Sequence, residues 1–249
     1  MPGAHAARHL KPAVLELGGK NSVIVLDDAD VDHAVDAAVF GVFMNAGQIR
    51  MSADRVLVHE SLAEEFTRRF TAKVAALPSG DPADPRTVIG PLVTEDAARR
   101  VAALVRDAVA KGAAALTGGG EPEGAVYPAT VLSGVTEEMD VYRAEAFGPV
   151  CTLAAFPSDD AAIALANDTE NGLTCGIITE NGTHGLRGAR RIQTGIVHID
   201  DRSVGDEPQA PFGGAKASGY GRFGGRWGTE AFSNTRWVTL ATRHARYPF

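Results

Sequence analysis

Residues 23–45 read VIVLDDADVDHAVDAAVFGVFMN, and this run decides the fold. Val23 to Leu26 are aliphatic without alternation, the pattern of a buried strand. Asp30 stands where a helix N-cap is wanted. Positions 35, 38, 39, 42 and 43 are then apolar at helical spacing, out to about Asn45. With Phe40 and Met44 added, the last turns are apolar nearly all round, so deep burial is expected there. A second β-branched run, Val56–His59, follows, and strands alternating with amphipathic helices mark an α/β sheet.

The same alternation continues outward. Ser61-Leu-Ala-Glu64 has the form of a capping box for a helix through Ala76. Pro78 to Pro85 is a loop rich in Pro, Gly and Asp. A helix from about Thr94 carries Ala98, Val101, Val105 and Ala108 on one face, with Gly112 just past its end for a left-handed residue. Further strands are expected at Ala114–Thr117, Ala129–Leu132, Val150–Phe156, Thr174–Thr179 and Gly195–Ile199. Helices Asp159–Ala166 and His184–Arg191 lie between the last three. Residues 201–229 are rich in Gly and lack periodicity, and loops of that length are usually functional or disordered. A short helix then leads to a terminal strand, Trp237–Ala241. The fold class is α/β, an open twisted and mostly parallel sheet flanked by helices.

Composition narrows the function. The 249 residues are 45% hydrophobic, enough for a sizeable core. Lys+Arg 24 against Asp+Glu 31 gives a net charge of −7, which excludes nucleic acid as the expected partner because no basic stripe neutralises phosphates. Arg68-Arg69 and Arg187 to Arg191 read as solvated helix faces. No run approaches membrane-spanning length, and the two cysteines, Cys151 and Cys175, give no disulfide framework. The expectation is a cytoplasmic chain with no membrane partner. Both cysteines sit in strand patterns and read as inert core residues. The seven histidines show no ligand spacing, so no metal site is expected.

Four segments carry the chemistry: Glu16-Leu-Gly-Gly-Lys20, Asn45-Ala-Gly-Gln-Ile-Arg50, Glu145-Ala-Phe-Gly-Pro149 and Pro211-Phe-Gly-Gly-Ala-Lys216-Ala-Ser-Gly219. By itself Gly18-Gly19 is a turn where the backbone comes close to something, and the spacing of a phosphate loop is absent. Taken together, in this order and spacing, the segments resemble the aldehyde dehydrogenase family from about Arg8 to the C-terminus. The resemblance implies that family's catalytic domain over 17–229, a remnant of the cofactor-domain junction over 1–16, and a C-terminal helix with an oligomerisation strand over 230–249. The loop 206–225 is similar to members that act on aromatic aldehydes, such as vanillin and salicylaldehyde dehydrogenases.

Residue roles follow from the resemblance. Glu16 falls on the general base that activates water, a task suited to a carboxylate. Asn45 falls in the loop ahead of the nucleophile and would order it. The backbone N–H of residue 50 belongs to the oxyanion hole. Glu145 falls on the acceptor for the nicotinamide ribose hydroxyls of NAD or NADP, and Phe147 on the aromatic that positions the ring.

Position 50 departs from the pattern, because Arg50 stands where the family has its cysteine nucleophile. A guanidinium stays protonated and offers no lone pair for attack on a carbonyl. If Glu16 lies within reach of Arg50, an ion pair that blocks the aldehyde site is expected. Family members also carry a nucleotide-binding lobe ahead of Glu16-Leu-Gly-Gly, so a truncated chain with weak cofactor affinity and no activity alone is expected. Its partners would be an aldehyde, further copies in a homo-oligomer, or the missing lobe and full-length relatives. A non-catalytic interaction protein that joins relatives through 237–241 is the alternative. An enzyme of other chemistry in the Glu16 pocket ranks below both, because no alternative nucleophile stands beside Glu16.

Overall fold

A computed structural model describes residues 2–249. In chain order the elements are α1 (Pro2–Arg8), β1 (Leu15–Glu16), β2 (Asn21–Val25), α2 (Val31–Phe43), β3 (Ala53–His59), α3 (Glu60–Ala75), α4 (Glu95–Ala110), β4 (Ala114–Thr117), β5 (Thr130–Ser133), α5 (Asp140–Arg143) and β6 (Val150–Phe156). There follow α6 (Asp159–Asn167), β7 (Asn171–Gly172), β8 (Thr174–Ile178), α7 (Gly182–Ala189), β9 (Ile196–Ile199), β10 (Ala215–Lys216), β11 (Gly219–Tyr220) and α8 (Gly225–Ala231).

Seven strands form the main sheet in the order β4-β5-β6-β3-β2-β8-β9. Within it only the β4–β5 pair is antiparallel. The central strands β2 and β8 are buried along their whole length, as parallel strands with both faces covered must be. One core forms where α2, α3 and α4 supply Val35, Phe43, Phe66, Phe70, Val101 and Val105. A smaller core between α6 and strands β2, β3, β6 and β8 is built from Ile24, Leu57, Phe156, Ile163 and Ile177.

Local signals act as the sequence implies in most places. Asp30 caps α2 by accepting from the His33 N–H at 2.8 Å, and Thr94 caps α4 by accepting from the Ala97 N–H at 3.1 Å. Gly112 takes a left-handed φ of +104° just past α4.

Three expectations need correction. Helix α3 begins ahead of the apparent capping box, with His59 as its cap: the ring Nδ1 meets the Ser61 N–H at 3.3 Å. The end of α2 is not buried all round. Val42 and Phe43 are 1% exposed, whereas Phe40 and Met44 are each 42% exposed on a face the chain leaves uncovered. There the Arg202 guanidinium lies over the Phe40 ring, 4.9 Å from its centre. Trp237–Ala241 forms no strand, and Trp237 is 90% exposed. An extended segment needs a neighbour for its backbone groups, and none is folded onto it.

Among the described residues no helix is long and apolar enough to cross a membrane.

Candidate active site

The register of the sheet assembles the site. Strands β2, β3 and β6 are adjacent and mutually parallel, so the loops that precede them emerge at one edge. Those loops are 16–20, 45–52 and 145–149, three of the four segments. They lie at the amino ends of the strands, whereas ligands in open α/β sheets usually sit outside the carboxyl ends. The fourth segment is tied in by two short ladders. β11 pairs with β1, placing Glu16 opposite Gly219, and β10 pairs with β7, placing Ala215 opposite Gly172. The Ser218 hydroxyl donates to the Gly18 carbonyl at 2.7 Å and accepts from the Gly172 N–H at 2.9 Å.

Glu16 and Arg50 meet at the centre. Arg50 Nη1 lies 2.6 Å from Glu16 Oε2, and Arg50 Nε donates to the Leu17 carbonyl at 2.8 Å. Both side chains are about three-quarters shielded from solvent, so this pair is screened less than a surface one. The Arg50 carbonyl is itself held, accepting from Asn21 Nδ2 at 2.7 Å. Asn21 Nδ2 also donates to the Ser52 carbonyl at 2.9 Å, and the Ser203 hydroxyl donates to the Met51 carbonyl at 2.8 Å.

Asn45 and Ala46 both take left-handed φ, 53° and 54°, and Gly47 follows at +70°. The Asn45 side chain makes only a long contact, Nδ2 to the Gln48 carbonyl at 3.4 Å. Gln48, to which no role was assigned from sequence, does more to hold the loop. Its Oε1 accepts from the Val93 N–H at 2.9 Å, and its amide nitrogen reaches the Asn45 and Pro91 carbonyls. At Gly47 a Cβ would stand 2.1 Å from the Gly148 carbonyl oxygen, so the loop packs directly on the segment 145–149.

Glu145 reaches back to the first segment, where Oε1 accepts from the Gly19 N–H at 3.1 Å. A Cβ on Gly18 would lie 2.7 Å from Glu145 Oε2, and one on Gly19 would lie 2.7 Å from the Arg50 carbonyl. Gly19 is needed because backbone passes this close, whereas at Gly18 the close neighbour is the end of the Glu145 side chain. Burial pushes the Glu145 carboxyl above its ordinary range, and the Gly19 N–H opposes the shift. Phe147 has a left-handed φ of 44° and a ring that is 39% exposed.

Beneath these lies a buried set of charges that motif reading left unassigned. Lys20 is 3% exposed and donates from Nζ to the Val141 and Ala144 carbonyls at 2.9 and 2.7 Å. It also lies 3.3 Å from Asp54, whose Oδ1 accepts from the Ala146 N–H at 2.8 Å. Burial lowers the Lys20 pKa, with Asp54 acting against it. Arg100 completes the clamp by donating to the Ala146 carbonyl at 2.6 Å. The signal for Lys20 was a charged residue three places before the aliphatic run Val23–Leu26, and a charge drawn into the core must find a partner.

Cys151 and Cys175 are buried, free and far up the thiol scale, Cys175 pushed by burial to about 12. Neither offers a thiolate. One group of potential metal ligands, Asp27, Asp28 and His184, gathers near the carboxyl end of β2. Two of its members are engaged already, Asp28 with the Thr179 hydroxyl at 2.6 Å and His184 with Asp159 at 2.6 Å.

Comparison with known proteins agrees with the geometry. The family model described as "Aldehyde dehydrogenase family" matches residues 3–238. A vanillin dehydrogenase of Pseudomonas fluorescens is 48% identical over 246 residues, covering 99% of this chain and 51% of the relative. The crystal structure of a salicylaldehyde dehydrogenase from Pseudomonas putida G7 complexed with salicylaldehyde superposes with TM-score 0.94 at 43% identity, covering 99% of this chain and 51% of that one. A Mycobacterium tuberculosis aldehyde dehydrogenase complexed with NAD+ gives TM-score 0.92 at 37% identity, with 98% and 51% covered. The chain thus spans about half the length of the curated relatives it matches. With the motifs gathered at one sheet edge and the match running nearly end to end, the chain belongs to the aldehyde dehydrogenase family.

Proposed function

We propose that this chain carries the catalytic segment of an NAD- or NADP-dependent oxidoreductase that converts an aromatic aldehyde to its acid, with the covalent step disabled by Arg50. The observation that carries this reading is the 2.6 Å ion pair between Arg50 and Glu16. In the assigned roles, a thiol at position 50 would add to the carbonyl carbon, the N–H of residue 50 would stabilise the oxyanion, and Glu16 would take the proton. With arginine there, the nucleophile is absent and the base is held by a fixed cation. Loss of an essential nucleophile removes many orders of magnitude of rate, since the steps it enables act as a unit.

The residues present fit the nicotinamide end of the cofactor. Glu145 is a half-buried acceptor able to bind vicinal hydroxyls, and Phe147 offers an exposed ring face. The cofactor, when bound, supplies the hydride acceptor. Names of relatives that act on vanillin, benzaldehyde and salicylaldehyde support an aromatic substrate. Two free, buried cysteines accord with a cytoplasmic location.

The test is Arg50→Cys, assayed with the amino-terminal portion of a full-length relative supplied in trans. The expected result is NADH formation with benzaldehyde-type substrates, and covalent capture of an aldehyde-mimicking inhibitor at residue 50. Equal turnover by the wild-type chain and the Arg50→Cys variant would overturn the reading.

A second reading, a non-catalytic partner that assembles with copies of itself or with relatives, is favoured by one observation. Trp237, Val238 and Leu240 are 76–90% exposed in an extended tail, and β9 ends the sheet with a free edge among the described residues.

A further inference from the structure

Residue 50 sits in a turn whose carbonyls are held from outside. The Ser52 N–H donates to the Ile49 carbonyl at 2.8 Å, closing a turn with Arg50 and Met51 at its centre. Asn21 Nδ2 then takes the Arg50 and Ser52 carbonyls, and the Ser203 hydroxyl takes that of Met51. Both side chains are buried. Gly19 leaves room for the Asn21 amide, since a Cβ there would lie 2.8 Å from Nδ2.

Both holders rest on one residue. Thr174 opens β8, beside Asn21 at the start of the neighbouring parallel strand β2. Its N–H donates to Asn21 Oδ1 at 3.1 Å, and its hydroxyl donates to the Ser203 carbonyl at 3.0 Å. The consequence falls on residue 50. A peptide unit is planar, so fixing its carbonyl fixes its N–H as well. The unit before residue 50 is fixed through the Ile49 carbonyl, and the unit after it through Asn21. With both planes set, the direction in which the side chain of residue 50 leaves the backbone is set too. The Arg50 N–H has no backbone acceptor among the described residues.

We propose that Thr174, Asn21 and Ser203 are positioning residues for position 50. Thr174 holds the other two, and these hold the turn so that the side chain of residue 50 points at Glu16 while its N–H stays free. Their use in the covalent step rests on the function proposed above.

The experiment compares Ser203→Ala, Thr174→Val and Thr174→Ser in two settings, with urea unfolding to establish that each chain is folded. In the otherwise wild-type chain the readout is solvent exchange of the Arg50 Nε–H by NMR, since that proton reaches the Leu17 carbonyl only while residue 50 keeps its direction. Exchange should quicken about tenfold in Ser203→Ala and Thr174→Val, each of which leaves one buried carbonyl unpaired. Thr174→Ser keeps the hydroxyl and should recover slow exchange. In the Arg50→Cys chain, with the amino-terminal portion of a relative in trans, Ser203→Ala and Thr174→Val should lower kcat and kcat/KM together by about tenfold. Unchanged exchange in Ser203→Ala, equal effects of Val and Ser at position 174, or a raised KM with kcat intact would each overturn the proposal. If the Arg50→Cys chain does not turn over, the function proposed above falls, and the exchange comparison still decides whether these residues set the direction of residue 50.

Discussion

At the scale of single residues, the site is governed by how each charge is balanced. Arg50 finds partners in Glu16 for Nη1 and the Leu17 carbonyl for Nε, while its Nη2 is buried without one. Glu145 is the residue whose protonation should be felt in stability. Its carboxyl is raised by burial above its ordinary 4.5. A group raised in the folded state contributes stability that is fully present below the unfolded value and is lost as pH rises through the folded one. The native chain should therefore lose stability relative to Glu145→Gln as pH climbs from 4.5 through the raised value. Urea midpoints for the two chains from acid to neutral pH check this, and parallel pH profiles would contradict it.

At the scale of elements, close backbone approaches add to the side-chain contacts that join the segments. Gly47 is the clearest case, with φ +70° and a built Cβ 2.1 Å from the Gly148 oxygen. Gly47→Ala should cost at least about 2 kcal/mol, from left-handed strain and the clash together. Gly182→Ala provides the contrast. Gly182 opens α7 with nothing within 4 Å of its Cβ position, so that change should stabilise by roughly 0.5 kcal/mol. Denaturant unfolding of the two variants measures both signs. The motif glycines were visible in the sequence, but the atoms they approach were not. Gly19 meets the carbonyl of Arg50 in the next motif, and Gly18 meets the carboxylate of Glu145, on the far side of four intervening helices and strands β2 to β5.

At the scale of the whole molecule, the exposed tail is the segment expected to govern association in solution. Trp237 and Leu240 are 90% and 88% exposed, beyond the last helix and outside any sheet. Exposed apolar segments of this kind draw partners. Light scattering should report a dimer or larger, and Trp237→Asp with Leu240→Asp should shift the chain toward monomer. A wild-type monomer that binds no hydrophobic dye would contradict this. In the sequence read alone, the alternation of apolar runs and caps determined the α/β class and the core helices, and four short segments carried the resemblance to the family, because periodicity and short motifs are local properties. The sequence shows equally that position 50 is an arginine, without a nucleophilic atom, since that needs only residue identity. Tertiary structure alone decided that Phe40 and Met44 face outward, that Lys20, Asp54 and Gln48 hold the loops, and that Arg50 reaches Glu16. Those outcomes depend on strand order and parallel register, which bring the ends of distant segments to one edge of the sheet and are not written in any single stretch of chain.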